Sequence, residues 1–256
     1  MVSGELAATL LVSGVRRRQA LLGGGSAPLF LQNMRLSPGE TRSMIEPMER
    51  ALNIYEQIGN HHQAANTHYQ YALLLSRLWT CQRDEAMTRD KLSAAFEHYG
   101  KAHAYFVGAI RGNEQTFVLL CLDICNLYST VSGEECLRQS FLRCLDTVAA
   151  FSKESIEFGC SNQANPDEWR RTMTTLASSV EDRVFKTLRC LVKMEESAAS
   201  THQQESDKKQ RTMFRDLYRL ALSAKMSAVT LADGEDGEKK LLAIHKILTA
   251  LREGYY

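Results

Sequence analysis

The chain has 256 residues, of which 44% are hydrophobic, so it can bury a core of one large domain or two small ones. Its 31 basic residues are balanced by 30 acidic ones, which argues against direct binding of nucleic acid through a basic face. The seven cysteines follow no paired spacing, a pattern typical of free thiols in a reducing compartment.

The distribution of proline favours a helical protein. The chain has only four prolines, and none lies between Pro47 and Pro166 or after Pro166. Proline interrupts helices, so such long intervals without it favour long helices over many short strands. No run of alternating valine, isoleucine and threonine bounded by Asn-Gly turns is present. The sequence therefore predicts an all-α fold.

Residues 1–40 differ in composition from the rest, and we expect them to form a flexible leader. A glycine run at Gly23–Ser26 is typical of a flexible linker, and one marginal helix is predicted from Glu5 to Leu22. The segment is basic, with Glu5 as its only acid before Glu40. A mitochondrial presequence is therefore an alternative for this segment. A helical repeat domain is predicted over 41–256.

About eight helices are predicted in that domain. The start of the first is open because Pro47 suits the first turn of a helix. Gly59 and Asn60 mark its end. Ser132 and Glu135 have the spacing of a capping box for the fifth helix. The predicted helices cover 41–58, 61–81, a segment from about 85, 114–131, 132–159, 166–197, 213–231 and 238–253. A polar loop is predicted at 197–211 and an acidic turn at 233–238.

Two of these helices share one packing pattern. The first carries Ala51, Tyr55 and Ile58, and the third carries Ala95, Tyr99 and Ala102. Spacings of four and then three residues place each set on one helical face. A small residue lets a neighbouring helix approach closely, and the aromatic residue four positions on fills the groove beside it. We therefore predict antiparallel helix pairs in which each pair buries its face against its neighbours.

The residue types that carry chemistry occur without a matching motif. Cys121 and Cys125 are one helical turn apart and could provide two zinc ligands, but no second pair has matching spacing. An apolar stripe surrounds both thiols, so we interpret them as core residues. No nucleotide-binding, zinc-protease or serine-hydrolase motif is present, and no apolar run approaches the ~20 residues of a membrane span. We expect no enzyme activity, cofactor, metal, small-molecule substrate or membrane association.

Five tyrosines cluster in the repeat region, and two interpretations of them are open. They could line a concave peptide groove, or they could pack between helices with their hydroxyls at the rim. Within this region we predict His68 and Tyr71 as a possible partner surface. We place them on different faces of one helix, so a thin two-layer array cannot bury both, and one of them should face a partner or another helix. The five are Tyr55, Tyr69, Tyr71, Tyr99 and Tyr105.

The segment ALNIYEQIGNHHQAANTHYQYALLLS resembles a tetratricopeptide repeat. It contains the end of one repeat's second helix, a Gly-Asn turn and the first helix of the next repeat. Ala51 and Ala95 are 44 residues apart, whereas the standard repeat has 34, and the Trp-Leu-Gly-Tyr pattern of the first helix is missing. The resemblance implies a degenerate tetratricopeptide-like solenoid that binds protein partners. In it, the helix at 41–58 lacks a first-helix partner.

The longer run IYEQIGNHHQAANTHYQYALLLSRLWTCQRDEAMTRDKLSAAFEHYGKAHAYF resembles the C-terminal repeat region of the erythroid differentiation-related factor family. The resemblance extends from about Leu29 to Tyr256 and does not include residues 1–28. It implies a nuclear protein that regulates transcription during erythroid differentiation through protein partners. A cytosolic trafficking or assembly adaptor is the alternative function, with a cytoplasmic location. The resemblance transfers no catalytic or ligand-binding residue.

The repeat interpretation predicts different sensitivities at two positions. Replacing Ala95 by a large residue should destabilise the protein by ~1–3 kcal/mol, because overpacking separates the helix pair. Lys208→Ala should change the free energy of unfolding very little, because it alters only a polar loop. Urea unfolding of both variants measures the free energies of unfolding. If neither variant changes this free energy, the repeat assignment is contradicted.

Overall fold

The structure is a computed structural model. It describes residues 2–22, 37–81, 85–131, 133–198, 213–225 and 237–256.

The described residues are helical and contain no strand, so the all-α class is confirmed. The chain divides into two compact units, Met1–Gly108 and Ala109–Tyr256, where the sequence predicted one domain over 41–256. The first unit contains α1 (Val2–Leu22), α2 (Pro38–Gln57), α3 (His61–Cys81) and α4 (Glu85–Gly108). The second contains α5 (Glu114–Val131), α6 (Glu134–Asp146), a 3-10 helix (Thr147–Phe151), α7 (Lys153–Asn162), α8 (Pro166–Ala198), α9 (213–225) and α10 (Gly237–Tyr255).

Helix α1 packs into the first unit, although its sequence was expected to belong to a leader. Ala7 and Leu11 of α1 share one core cluster with Leu52 and Tyr55 of α2. The expected domain boundary at residue 40 therefore falls inside the first unit. The helix at 41–58, expected to lack a first-helix partner, packs against α1.

Helix α2 begins three residues before the predicted start because Ser37 caps it. The Ser37 hydroxyl accepts a hydrogen bond from the Glu40 backbone N–H, and the Glu40 carboxylate accepts one from the Ser37 N–H at 2.7 Å. This is a capping box, and it satisfies backbone donors that helix geometry leaves without partners. Hydrogen bonds from the Ser37 N–H and hydroxyl to the Glu40 carboxylate lower the pKa of Glu40.

Pro47 lies inside α2, and an arginine of α1 compensates for the hydrogen bond that proline removes. Because Pro47 has no N–H, the carbonyl four residues earlier, on Ser43, loses its helical donor. The guanidinium of Arg17 donates to that carbonyl at 2.9 Å. Arg18, which is buried, donates to the Gln70 carbonyl of α3 at 3.2 Å. The short run of arginines on α1 therefore joins this helix to its neighbours.

The turn between α2 and α3 follows the prediction from Gly59 and Asn60. Gly59 has a φ of +67°, a conformation that glycine adopts without steric cost. The Asn60 N–H donates to the Tyr55 carbonyl at 2.9 Å, as in a Schellman motif. The Asn60 side chain then accepts from the Gln63 N–H at 3.2 Å and caps α3.

The first four helices are antiparallel to their neighbours in the chain. In each pair, the residue number rises along one helix as it falls along the other. For α1 and α2, Arg17 lies near Ser43 and Gly4 near Ile58. For α2 and α3, Glu49 contacts Tyr71 and Glu56 contacts His68, and for α3 and α4, His62 contacts Phe106 and His68 contacts His98. Helix α3 also contacts α1. The short turn between α2 and α3 favours the antiparallel arrangement of that pair.

In the second unit, α5 packs against α6, α8 and the 3-10 helix. The apolar residues of α5 are buried over a wide arc that includes Phe117, Leu120 and Ile124. Helix α5 is therefore covered on more than one side, although Leu119 remains exposed.

The single helix predicted over 132–159 is wrong, because the segment forms α6, the 3-10 helix and α7. The buried Thr147 hydroxyl donates to the Cys144 carbonyl at 2.6 Å, at the point where the α-helix ends. The Ser152 hydroxyl accepts from the Ser155 N–H and caps α7. Helix α6 begins after Gly133, so the N-cap predicted at Ser132 is also wrong.

Helix α8 begins at Pro166 as predicted, with the Asn165 side chain accepting a hydrogen bond from the Glu168 N–H. Its apolar stripe begins with Trp169, which is buried against α7. An aromatic cluster of Phe141, Phe214 and Tyr255 joins α6, α9 and α10.

Four predictions lie outside the described residues in whole or in part. These are the linker at Gly23–Ser26, the polar loop at 197–211 beyond the end of α8, the helix beyond residue 225 and most of the acidic turn at 233–238.

Gly159 and Gly100 give a matched test of packing in two helices. A Cβ at Gly159 would lie 2.1 Å from Cζ2 of Trp169, whose ring cannot move without disturbing the core. Gly159→Ala should therefore destabilise the protein by ~1–3 kcal/mol. Urea unfolding followed by tryptophan fluorescence measures the change.

Gly100→Ala is the control, because nothing lies within 4 Å of a Cβ at this position. This alanine should be neutral or stabilise α4 by up to about 1 kcal/mol, since glycine weakens a helix interior. The packing interpretation is overturned if Gly159→Ala is as stable as the wild-type protein.

Candidate functional site

The first unit contains a polar cluster where α2, α3 and α4 meet. We call it the histidine cluster, and it comprises Glu49 and Glu56 of α2, His68 and Tyr71 of α3, and His98 of α4. His68 is only 6% exposed and Tyr71 only 7%. Polar groups are rarely buried without hydrogen-bond partners, so each buried member requires an explanation from its neighbours.

Helical periodicity places these side chains together. His68 and Tyr71 are three residues apart and therefore lie on one face of α3. Glu49 and Glu56 are seven residues apart on one face of α2. Because α2 and α3 are antiparallel, Glu49 meets Tyr71 and Glu56 meets His68.

Tyr71 donates a hydrogen bond from its hydroxyl to Oε1 of Glu49 at 2.7 Å. Burial raises the pKa of the Tyr71 hydroxyl, and the neighbouring carboxylate of Glu49 raises it further. The hydroxyl is therefore protonated at neutral pH and available as a donor. The carboxylate of Glu49 reaches the cluster from an exposed backbone position.

The two histidines form the centre of the cluster. Nδ1 of His68 and Nδ1 of His98 are 2.7 Å apart, so one nitrogen must donate a proton to the lone pair of the other. Nε2 of His68 faces the Glu56 carboxylate at 3.5 Å. A proton on that Nε2 points toward the carboxylate, and a lone pair there would be repelled by it. We therefore assign His68 as the acceptor at Nδ1 and His98 as the donor.

Both imidazoles favour the neutral form. Burial lowers the pKa of His68 to about 4, and the positive charge of Lys101 acts in the same direction. Burial also lowers the pKa of His98 to about 4, and His68 and Lys101 contribute to that shift. The Glu97 carboxylate opposes both shifts without cancelling them. At neutral pH the cluster therefore contains an uncharged histidine pair.

Aromatic contacts surround the pair. The ring centroids of His98 and Tyr71 are 4.5 Å apart, and those of His68 and His98 are 4.9 Å apart. Elsewhere between α3 and α4, Tyr69 and Tyr99 have ring centroids 6.4 Å apart. The burial of His68 and Tyr71 limits the access of water to their hydrogen bonds, which strengthens the bonds and increases the cost of breaking them.

The residues of the predicted packing pattern divide into two groups. Five are buried within the first unit: Ala51, Tyr55, Ala95, Tyr99 and Ala102. Ile58 is the exception, because it is 46% exposed. Helix α2 ends at Gln57, so Ile58 follows the last helical turn and lies at the edge of the packed face. The core packing role predicted for Ile58 is therefore wrong.

The partner surface predicted at His68 and Tyr71 is also corrected by the structure. Both side chains are buried, and both contact His98 of α4. The prediction placed them on different faces of α3, whereas a spacing of three residues puts them on the same face. Their neighbours α2 and α4 supply partners for both. Neither residue is available to bind another protein while the first unit is folded.

The tyrosines of the repeat region pack between helices. Tyr55, Tyr69, Tyr71 and Tyr99 are buried, and Tyr105 is half-buried against Phe106. These positions agree with packing between helices. The four buried rings cannot line an open peptide groove.

Sequence reasoning missed His98 and Glu49. The signal was indirect: two polar residues on the buried stripe of α3 require partners. That requirement does not identify the partners, because Glu49 and His98 lie 22 and 30 residues away from Tyr71 and His68. Only the antiparallel packing of three helices brings them together.

Six of the seven cysteines lie in the second unit, and three of these are buried in its core. Cys121, Cys125 and Cys144 are buried, and Sγ of Cys125 is 3.6 Å from Sγ of Cys144. Burial raises the pKa of the Cys121 thiol, which keeps it protonated. Within the described part of the chain, no group of three or more histidine, cysteine or acidic side chains is arranged to hold a metal ion.

Comparison of the chain with protein-family models, curated proteins and solved structures finds no match. None of the described helices combines the length and the apolar character that crossing a membrane requires.

The hydrogen bond between Tyr71 and Glu49 can be measured by a double-mutant cycle. Tyr71→Phe keeps the buried ring and removes the donor, so it should destabilise the protein by about 0.5–1.5 kcal/mol. Glu49→Ala removes the acceptor and its charge. The two changes together should cost less than the sum of the single changes, because both disturb one interaction.

Urea unfolding of the wild-type protein, both single variants and the double variant provides the four free energies. Strict additivity of the two changes contradicts a direct Tyr71–Glu49 interaction.

Proposed function

We propose that the chain is a non-enzymatic helical-repeat scaffold that binds protein partners. On its resemblance to the erythroid differentiation-related factor family, we propose that it acts in the nucleus, in the regulation of transcription during erythroid differentiation. The proposed architecture is a degenerate tetratricopeptide-like solenoid.

One observation carries this proposal: α2 and α4 bury the same small–aromatic pair at equivalent positions. Ala51 and Tyr55 are buried on α2, and Ala95 and Tyr99 are buried on α4. Each of these helices is antiparallel to the helix before it. Repetition of one packing unit is the basis of solenoid architecture.

The contacts of α3 also support a repeat arrangement. Helix α3 packs on α2 and α4, its neighbours in the chain, and it also contacts α1. If α1 and α3 are the first helices of two successive pairs, the second pair packs on the first through α3. Such arrays present extended surfaces to other proteins. Protein partners are favoured over nucleic acid because the chain carries a formal net charge of only +1.

Affinity purification from erythroid progenitor cells tests the proposed function. The tagged full chain is expressed and cross-linked, and its partners are identified by quantitative mass spectrometry in separate nuclear and cytosolic fractions. We expect regulators of transcription among the nuclear partners. Vesicle-coat or cytoskeletal partners without any nuclear partner contradict the proposed role and favour the trafficking or assembly adaptor.

Two variants make this experiment specific to the helix array. Ala95→Trp overpacks the α3–α4 contact, whereas Gly100→Ala changes an open position on the same helix. Partners that depend on the first unit should be lost from the first variant and retained by the second. Identical recovery from both variants, with Ala95→Trp shown to be destabilised, argues against binding through the first unit.

A further inference from the structure

The histidine pair contributes to the packing of three helices through a contact that depends on how many protons the two imidazoles carry. His68 lies on α3, His98 lies on α4, and their Nδ1 atoms are 2.7 Å apart. Around them, Glu56 of α2 approaches the far nitrogen of His68, and Tyr71 of α3 packs on the ring of His98. The pair is therefore part of the packing between α3 and both of its neighbours.

Proton counting shows how acid acts on this contact. A neutral pair has one proton between the two Nδ1 atoms and makes one hydrogen bond. A first added proton places a positive charge in a buried site, although the hydrogen bond can persist. A second added proton leaves an N–H on each Nδ1, so two donors and two positive charges face each other at 2.7 Å. That state is incompatible with the observed contact.

The charged groups around the pair compensate for added protons only in part. Helix α2 supplies Glu49 and Glu56, and α4 supplies Glu97 and Lys101. The carboxylate of Glu56, 3.5 Å from Nε2 of His68, can pair with a single positive charge there. Glu49 and Glu97 favour the charged form of His98, but burial, His68 and Lys101 outweigh them. From α1, the buried Arg18 donates to the carbonyl of Gln70.

We propose that the His68–His98 contact is an acid-sensitive switch that holds α3 against α4 at neutral pH and loosens their packing on acidification. The switch is a property of the first unit and does not depend on which partner the scaffold binds.

Proton binding in the packed and the open state determines whether acid stabilises or loosens the contact between α3 and α4. An unfolded histidine has a pKa of about 6.5, whereas each buried imidazole has a pKa lowered to about 4. Between these values the open state binds more protons than the packed state. The stabilisation is therefore complete above pH 6.5 and is lost as the pH falls toward 4. Each imidazole can change the opening equilibrium by up to about tenfold per pH unit.

Hydrogen exchange of the full chain, measured by mass spectrometry, tests the switch. Protection factors of the α3 and α4 amides are compared at pH 7 and pH 5.5 after correction for the intrinsic exchange rate. We expect a decrease of about tenfold or more in α3 and α4. Amides of α5, in the second unit, serve as an internal reference and should change less.

His98→Asn and His61→Asn are the matched variants. Asparagine at position 98 can still donate from a position near Nδ1 but cannot gain a proton, so the decrease should be smaller by the contribution of one imidazole, which is up to about tenfold per pH unit. His61 is an exposed residue at the start of α3, so His61→Asn should retain the wild-type decrease. An unchanged decrease in His98→Asn overturns the proposal.

A second measurement on the wild-type chain does not depend on the folding of any variant. NMR titration of the histidine ring protons between pH 4 and pH 8 reports the protonation of each imidazole. Midpoints for His68 and His98 below pH 5 support the switch. Midpoints near 6.5 for both residues overturn it, because the packed and open states then bind protons equally.

Discussion

Buried polar atoms must find hydrogen-bond partners, and this constraint determines how α2, α3 and α4 pack. His68 and Tyr71 occupy the buried face of α3, where apolar residues would be expected. Their hydrogen bonds form only if a glutamate of α2 and His98 of α4 lie opposite them along the helix axes. A shift of one helical turn along either neighbour would leave at least one buried group without a partner, at a cost of about 1–3 kcal/mol. The polar cluster therefore selects one alignment of the three helices.

The apolar pattern and the polar cluster have complementary roles in the first unit. Ala95 and Ala102 allow α4 to approach its neighbours closely, and Tyr99 fills the adjacent space. Small residues permit several nearly equivalent alignments, because they impose few steric demands. The histidine pair removes this freedom, since a hydrogen bond requires a defined distance and direction. The same requirement makes the packing sensitive to protons, and a scaffold built in this way can change its stability without a separate regulatory domain.

Interruptions of helical geometry are compensated throughout the chain. Pro47 leaves the Ser43 carbonyl without a helical donor, and Arg17 of a neighbouring helix supplies one. In the second unit, the α-helix that begins at Glu134 ends at Asp146, and Ser152 starts a new helix by capping α7. Gly159 then allows Trp169 to pack against the backbone. Pro47 and Gly159 are thus matched by side chains of neighbouring helices, whereas the break after Asp146 is stabilised by hydrogen bonds between residues three positions apart.

The amino-acid sequence by itself determined the all-α class, the turn at Gly59 and Asn60, the start of α8 at Pro166 and the burial of the Ala-Tyr pairs on α2 and α4. These features depend on local periodicity, capping and backbone preference, which act over a few residues. Only the tertiary structure decided that α1 belongs to the first unit, that Ile58 is exposed, and that His68 and Tyr71 are buried. The burial of His68 and Tyr71, for example, depends on partners 30 and 22 positions away in the sequence, His98 and Glu49. Local patterns state that a polar residue on a buried face needs a partner, but the identity of that partner depends on how the helices pack.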